Sequence, residues 1–380
     1  MAKILSAGAA IFLICVCFSG CFPHTELDEK IIVEAVSVDY LKETDEYEIG
    51  IQYYNMTGTG GRTHIDSTKP NVLTAKGKGT NIYEAVEQIQ LYCGRELMLG
   101  SVQVVILGHD TLQHDISDIF SIAKTYHQSH PNQYICVAQG KAADYMKVKF
   151  VEGLLSSEKL KFLLENAKNQ GIVRTPTILE VFLCLESRQK TLCLPMLKLE
   201  DDGTDASEDG KSITFAGGVL LKNEKWLADL DLEFTSSVMM LQGKVVSTSI
   251  TIPYEEQHVT LGLTDVQCSM NPKVVDGQLV VDIKVSADGT FKDSLAEGGS
   301  VDKSEDISIV AEDFLKKKLE AGCRFVINQC LADVLHLELK LKHNNYSEWL
   351  KQEESFEDLL PNTVFNIETH INISRFSLEK

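Results

Sequence analysis

Beyond its first 20 residues the chain has no apolar stretch approaching 18 uninterrupted residues, which excludes a transmembrane helix in the body. Hydrolase signatures are equally absent: no GxSxG, no HExxH, and no SxxK with the supporting motifs of a penicillin-recognising enzyme. No phosphate loop is present either. The Gly-rich run TGTGG at 57–61 is not followed by a helix carrying Lys and Ser or Thr, so it reads as a plain loop. Basic residues are in short supply, 36 against 55 acidic ones, for a formal charge of −19. That balance repels nucleic acid and anionic lipid surfaces alike.

Tightly spaced cysteine pairs are missing after Cys21. The remaining seven, at 93, 136, 184, 193, 268, 323 and 330, are odd in number and include no CxxC. Neither a disulfide framework nor a zinc site is indicated, and most should be small buried hydrophobes. Among the histidines, His109 with His114 and His127 with His130 come nearest to ligand spacing. Both pairs lie in polar segments, so surface histidine is the expectation and no metal is assigned. Carboxylates are too abundant for one pair to stand out as acid and base. No catalytic residue and no cofactor is predicted.

What is present begins at the N-terminus. Met1-Ala2-Lys3 supplies one positive charge, and an apolar run follows from Ile4 to Phe18. The run is shorter than the roughly 20 residues that span a hydrocarbon core, and it ends in Ser19 and Gly20, so cleavage is expected. A bacterial lipoprotein signal puts small residues immediately before the modified cysteine, as Phe18-Ser19-Gly20-Cys21 does, although Phe18 stands where an aliphatic residue is usual. Residues 1–20 are therefore expected to be the signal peptide and Cys21 the lipid-attachment residue. The alternative is an ordinary signal peptide with incidental cysteines. Two acyl chains, at roughly 0.8 kcal/mol per buried CH₂, hold a protein to a membrane without a basic patch.

The body reads as α+β, with mixed sheets, packed helices and more than one domain. Alternation predicts strands at Ile31–Tyr40 and Glu46–Asn55 joined by the turn KETD, then a short strand at 72–78. Thr80 is expected to cap a helix carrying Ile82, Val86, Ile89 and Cys93 at helical spacing. Strands at 102–107 and 134–138, and helices at 110–126, from 141, and at 157–170, continue an α/β-like N-terminal domain over 21–199. The acidic run EDDGTDASEDG suggests a linker over 200–212; its reading as a calcium loop fails because the EF-hand order of ligands is absent. A C-terminal domain over 213–380, divisible near 256, is expected to hold an antiparallel sheet and one long helix from Ile307 to about Leu335.

The order of motifs resembles the Ger(x)C family, the lipoprotein C subunits of nutrient germinant receptors in endospore-forming bacteria. The resemblance runs through GCFPHTELDEKIIVEAVSVDY, LTAKGKGTNIYEAVEQIQ with its buried Ala85, RELMLGSVQVVILG, and LLENAKNQGIVRTPTILEVFLCLESRQKTLCLPML. It continues in FAGGVLLKNEKWLADLDLEFTSSVMMLQGKV and in the closing NQCLADVLHLELKLKHNNYSEWLKQEESFEDLLPNTVFNIETHINI, where Asp333 and Trp349 match characteristic positions. Ser101 stands where the family usually has histidine. The resemblance implies a non-enzymatic subunit, lipid-anchored on the outer face of the spore inner membrane, working beside membrane-embedded A and B subunits. A solute-binding lipoprotein of an importer is the alternative, sharing the signal and the size.

Overall fold

The structure is a computed structural model and describes residues 30–54, 72–114, 116, 117, 119, 120, 130–150, 155–188, 190–201, 207, 208, 210–292 and 304–373. Cys21, the signal segment, the TGTGG loop and His127 lie outside the described residues, as do residues 115, 118 and 121–126 of the helix expected over 110–126, whose described start is a 3-10 turn at His109–Gln113.

Strand β1 (Lys30–Leu41) and strand β2 (Glu46–Tyr54) form the expected hairpin, with Val38 opposite Ile49, and β3 (Val72–Gly79) extends it antiparallel. Helix α1 (Ile82–Cys93) folds back over β3 and buries Ile82, Ala85, Val86 and Ile89. Its cap is Asn81 rather than the expected Thr80: the Asn81 side chain accepts from Glu84 N at 3.0 Å. Thr80 instead donates its N–H and hydroxyl to the Glu84 carboxylate, each at 2.8 Å. The one-residue shift follows from Asn81 being extended (φ −141°, ψ 168°), the backbone an N-cap requires.

Next come β4 (Glu96–Met98), parallel to the start of β1, a 3-10 turn at Leu99–Ser101, β5 (Val104–Gly108) and β6 (Tyr134–Ala138). Helices α2 (Ala142–Tyr145), α3 (Ser156–Asn169) and α4 (Ile178–Leu185) precede β7 (Thr191–Asp201), β8 (Lys211–Lys222) and β9 (Lys225–Leu230). Together they make a nine-stranded sheet in the order β3-β2-β1-β5-β6-β7-β8-β9, with β4 beside β1. The β1-β5-β6-β7 block is parallel. Helices cover it on both faces, which is why β5 and β6 are near-continuous apolar runs rather than alternating ones. One face packs Ile49, Ile89, Leu107, Val137, Val181 and Leu194; the other packs Ala35, Ile106, Cys136, Tyr145, Leu160 and Leu164.

The acidic run does not connect two separate sheets. Strands β7 and β8 pair antiparallel along their length, with Glu200 opposite Ser212 and Asp201 opposite Lys211. Glu200 and Asp201 therefore close one strand of a hairpin and Lys211 and Ser212 open the other, so the large sheet continues across the boundary expected at 213. The physical reason is the apolar match of Leu192–Leu194 with Val219–Leu221, all buried, which outweighs the solvated carboxylates beyond it.

Helix α5 (Leu232–Leu241) leads to β10 (Ser247–Tyr254), β11 (Gln257–Val275) and β12 (Gln278–Phe291), a long antiparallel ribbon. Helix α6 (Ser304–Cys323) buries Ile307, Ala311, Leu315 and Leu319 against it. Short helices α7 (Leu337–Asn344), α8 (Tyr346–Gln352) and α9 (Phe356–Leu359) precede β13 (Val364–Ile373). The sheet is mostly antiparallel, as expected, but β13 pairs parallel to β12, because the helices between them form a crossover rather than a hairpin. The long helix also ends earlier than periodicity suggests. After Cys323 it widens into a π-type turn (Arg324–Gln329), where Cys330 N donates to Phe325 O at 2.9 Å, and Leu331 (φ 54°) terminates it.

The C-terminal sheet does not stand apart. One core joins Cys193, Leu220 and Leu230 of the large sheet to α5, α6 and the β10–β13 sheet. The fold is α+β, with two sheets sharing that core.

Candidate functional site

The segment LTAKGKGTNIYEAVEQIQ now has a physical reading. A Cβ on Gly77 would stand 2.1 Å from the Ala85 carbonyl oxygen and 2.8 Å from Ile89 Cγ1; one on Gly79 would stand 2.7 Å from Ala85 N. Both glycines let α1 approach β3 closely, and Ala85, fully buried, is small for the same reason. Ser101 closes the 3-10 turn after β4 and is half-buried. Nearby, Gln133 Nε2 donates to Leu99 O at 3.0 Å and Gln103 Nε2 donates to Glu34 Oε2 at 2.8 Å. Burial raises the Glu34 carboxyl above its ordinary range, and the Gln103 hydrogen bond opposes that shift.

Asp333 and Trp349, far apart in sequence reading, meet through Glu338. The π-type turn and the break at Leu331 swing Asp333 inward, where it is completely buried. Its Oδ1 accepts from Leu337 N at 2.7 Å and its Oδ2 from Glu338 N at 3.0 Å, clasping the first turn of α7. Burial pushes the carboxyl up to about 6, against the lowering effect of these two backbone donors. Glu338 Oε1 accepts from Trp349 Nε1 at 3.2 Å, and the Lys342 ammonium sits 4.0 Å over the Trp349 ring.

The N-terminal half reaches this clasp directly. Arg188 Nη1 lies 3.6 Å from Glu338 Oε1 and 3.5 Å from Glu353 Oε1. Arg174 donates to Gln242 Oε1 at 3.1 Å, and Gln242 Nε2 donates to Val334 O at 2.6 Å. From β8, Lys222 Nζ donates to Leu331 O at 2.9 Å and to Glu357 at 3.1 Å. Burial, with the Arg174, Lys340 and Lys244 cations, holds the His336 imidazole down at about 4, so it is neutral near pH 7. The arrangement is a polar junction that fixes the closing helices against the large sheet. It presents no nucleophile with an adjacent base.

His109 and His114 take separate partners. His109 Nε2 lies 3.0 Å from Asp229 Oδ1, which also accepts from Trp226 Nε1 at 2.9 Å, whereas His114 stacks 3.6 Å from the Tyr40 ring. Among the described residues no three His, Cys, Asp or Glu side chains are placed to hold a metal ion. The seven described cysteines are free thiols; Cys136, Cys193 and Cys323 are buried, and Cys93, Cys184, Cys268 and Cys330 half-buried. Burial pushes the Cys193 thiol up to about 12 and Cys268 up to about 11. An apolar cavity of about 70 Å³ lies between α1 and the sheet, lined by residues such as Val38, Ile51, Val86, Leu97 and Phe120. The polar member of its lining, Gln133, already binds Leu99 O. Among the described residues no helix is long and apolar enough to cross a membrane.

Both halves match models of spore germination proteins. Residues 23–199 match the spore germination protein N-terminal domain, and residues 216–377 match the "Spore germination B3/GerAC like, C-terminal" domain. The chain belongs to the Ger(x)C family of spore germination proteins. It is similar to the spore germination protein YfkR of Bacillus subtilis (strain 168), 23% identical over 294 residues that cover 74% of this chain and 73% of the relative. Its fold is that of the crystal structure of the GerBC protein, with a TM-score of 0.54 and 14% identity over 89% of this chain and 96% of that one.

Proposed function

We propose that this chain is the C subunit of a nutrient germinant receptor, held by lipid on Cys21 to the outer face of the spore inner membrane. It works there without catalysis, through contacts with the membrane-embedded A and B subunits. The collinear match of both family domains carries the reading. The polar junction around Asp333 supports it, since a body whose halves share one core suits a rigid binding partner better than a hinged solute trap. The importer alternative calls for two doubly wound lobes, and a nine-stranded mixed sheet beside a four-stranded one is a different architecture. The test is release of dipicolinic acid from spores after nutrient exposure, comparing wild type, a gene deletion and Cys21→Ala, with a receptor-independent trigger as control. Loss of one nutrient response in the deletion and in Cys21→Ala, with the control intact, is expected. Normal release in the deletion for every nutrient, in a strain stripped of related receptors, would refute it.

A further inference from the structure

We infer that the end of the large sheet at which β1 begins faces the bilayer and inserts Leu91 and Tyr92, at the tip of α1, into its interface. The inference rests on the Cys21 anchor proposed above. Cys21 and Lys30 are nine positions apart, so at about 3.5 Å per residue the tether reaches no more than about 30 Å. The start of β1 therefore stands no more than about 30 Å from the anchor.

That same end carries apolar side chains with no place in the core. Helix α1 runs antiparallel to β3, so its last turn lies beside the start of β1, where β4 pairs Glu96 with Lys30. Its sheet-facing positions are Ile82, Ala85, Val86 and Ile89, whereas Leu91 is 81% and Tyr92 74% exposed. An amphipathic helix on a fully solvated face would carry polar residues at those positions. Leu73, exposed near the start of β3, adds to the patch at that end, where β3 pairs Val72 with Tyr54. Leu179, exposed in the first turn of α4, extends it, with its N–H tied to Pro131 O just ahead of β6. Lys30, Arg95 and Glu96 give the patch a polar rim. Tyrosine beside leucine, ringed by polar groups, is the composition that settles at headgroup depth. With a formal charge of −19, the body gains nothing from anionic lipid, so apolar insertion is what would hold this face down.

The test places a reporter at each end of β1. The mature chain with Cys21→Ala, carrying an N-terminal hexahistidine tag, is held on phosphatidylcholine vesicles containing nickel-chelating lipid, with or without brominated acyl chains. Tyr92 is changed in one protein (Tyr92→Trp); the β1–β2 turn is changed in the other (Glu43→Trp), at the opposite end of β1, a strand of 12 residues about 40 Å long. Brominated lipid is expected to cut the added emission of Tyr92→Trp about twofold, while Glu43→Trp and the parent stay unchanged. Equal emission from Tyr92→Trp with and without bromine, or stronger quenching of Glu43→Trp, would overturn the inference. Since the tag replaces the lipid, this result is independent of the Cys21 reading. Labelled palmitate incorporation in cells, lost or retained in Cys21→Ala, decides that reading separately.

Discussion

Substituting Gly77→Ala tests whether the approach of α1 to β3 is as close as the geometry requires. The new methyl would stand 2.1 Å from the Ala85 carbonyl oxygen, 2.8 Å from Ile89 Cγ1 and 3.1 Å from Ile89 N. Two of these neighbours are helix backbone, so relief needs α1 to move outward by more than an ångström. Such a shift loosens Ile82, Ala85, Val86 and Ile89 together. Overpacking alone costs about 1–3 kcal/mol, and partial loss of four buried side chains brings the expected destabilisation to about 3–5 kcal/mol. The conformational part is separable. Gly77 has an ordinary negative φ, whereas Gly277, in the β11–β12 turn, has φ +77° and nothing within 4 Å of a built Cβ. Gly277→Ala should cost only the left-handed backbone strain, about 1–2 kcal/mol. Urea unfolding of both variants beside the parent makes the comparison. A Gly77→Ala loss no larger than that of Gly277→Ala would refute the steric reasoning.

Asp333 should give stability a specific pH dependence. Its folded carboxyl titrates near 6, above the ordinary 3.8, so the folded state binds more protons between about pH 4 and 6, and stability falls as pH rises through that window. Relative to Asp333→Asn, the parent should lose about 2 kcal/mol between pH 4 and 7 in urea melts; a flat or rising difference would contradict the burial argument. Arg188→Ala should cost about 1 kcal/mol at low salt and less in molar salt, because Arg188 is half exposed, although Glu338 is not. Equal losses at both salt concentrations would point to packing instead. Ellman's reagent should leave Cys136, Cys193 and Cys323 unmodified until the chain unfolds, since each thiol is buried and its ionisation suppressed. Modification of any of the three at the native rate of Cys93 would contradict their burial.

Periodicity carried much of the fold. The hairpin at β1–β2, the faces of α1 and α3, and the seam of α6 are legible because each buries one side against a sheet. Helix α4, with the sequence ILEVFLCL, is apolar on nearly every side and offers no period. Strand β4 is only three residues long, too short to signal itself. Residues 200–212 read as a linker because solvated carboxylates look alike at a hairpin end and in a connector; the pairing of β7 with β8 that distinguishes them is tertiary. The parallel placement of β13 is likewise a matter of topology, invisible in its alternating sequence.

At the candidate site, the resemblance pointed to Asp333 and Trp349, but their chemistry was not legible. Glu338 bridges them only after Leu331 and His336 adopt left-handed backbone and fold α7 back onto the clasp. Arg188 is farther still in sequence, 150 positions from Glu338. His109 and Asp229, 120 positions apart, likewise meet only in the folded chain. A local motif could have found Gly77, Gly79 and Ala85, since the glycines and the small helix residue are close in sequence and face each other.

Recovery of the complex tests the proposed role most directly. Spore inner membranes from a strain carrying an affinity-tagged copy of this chain would be solubilised in mild detergent, purified through the tag and identified by mass spectrometry. A receptor A subunit and B subunit should co-purify with the chain in comparable amounts, and both should be lost when the tagged chain is omitted. Recovery of the chain without either, from membranes of spores that respond normally to nutrients, would contradict a role as their partner.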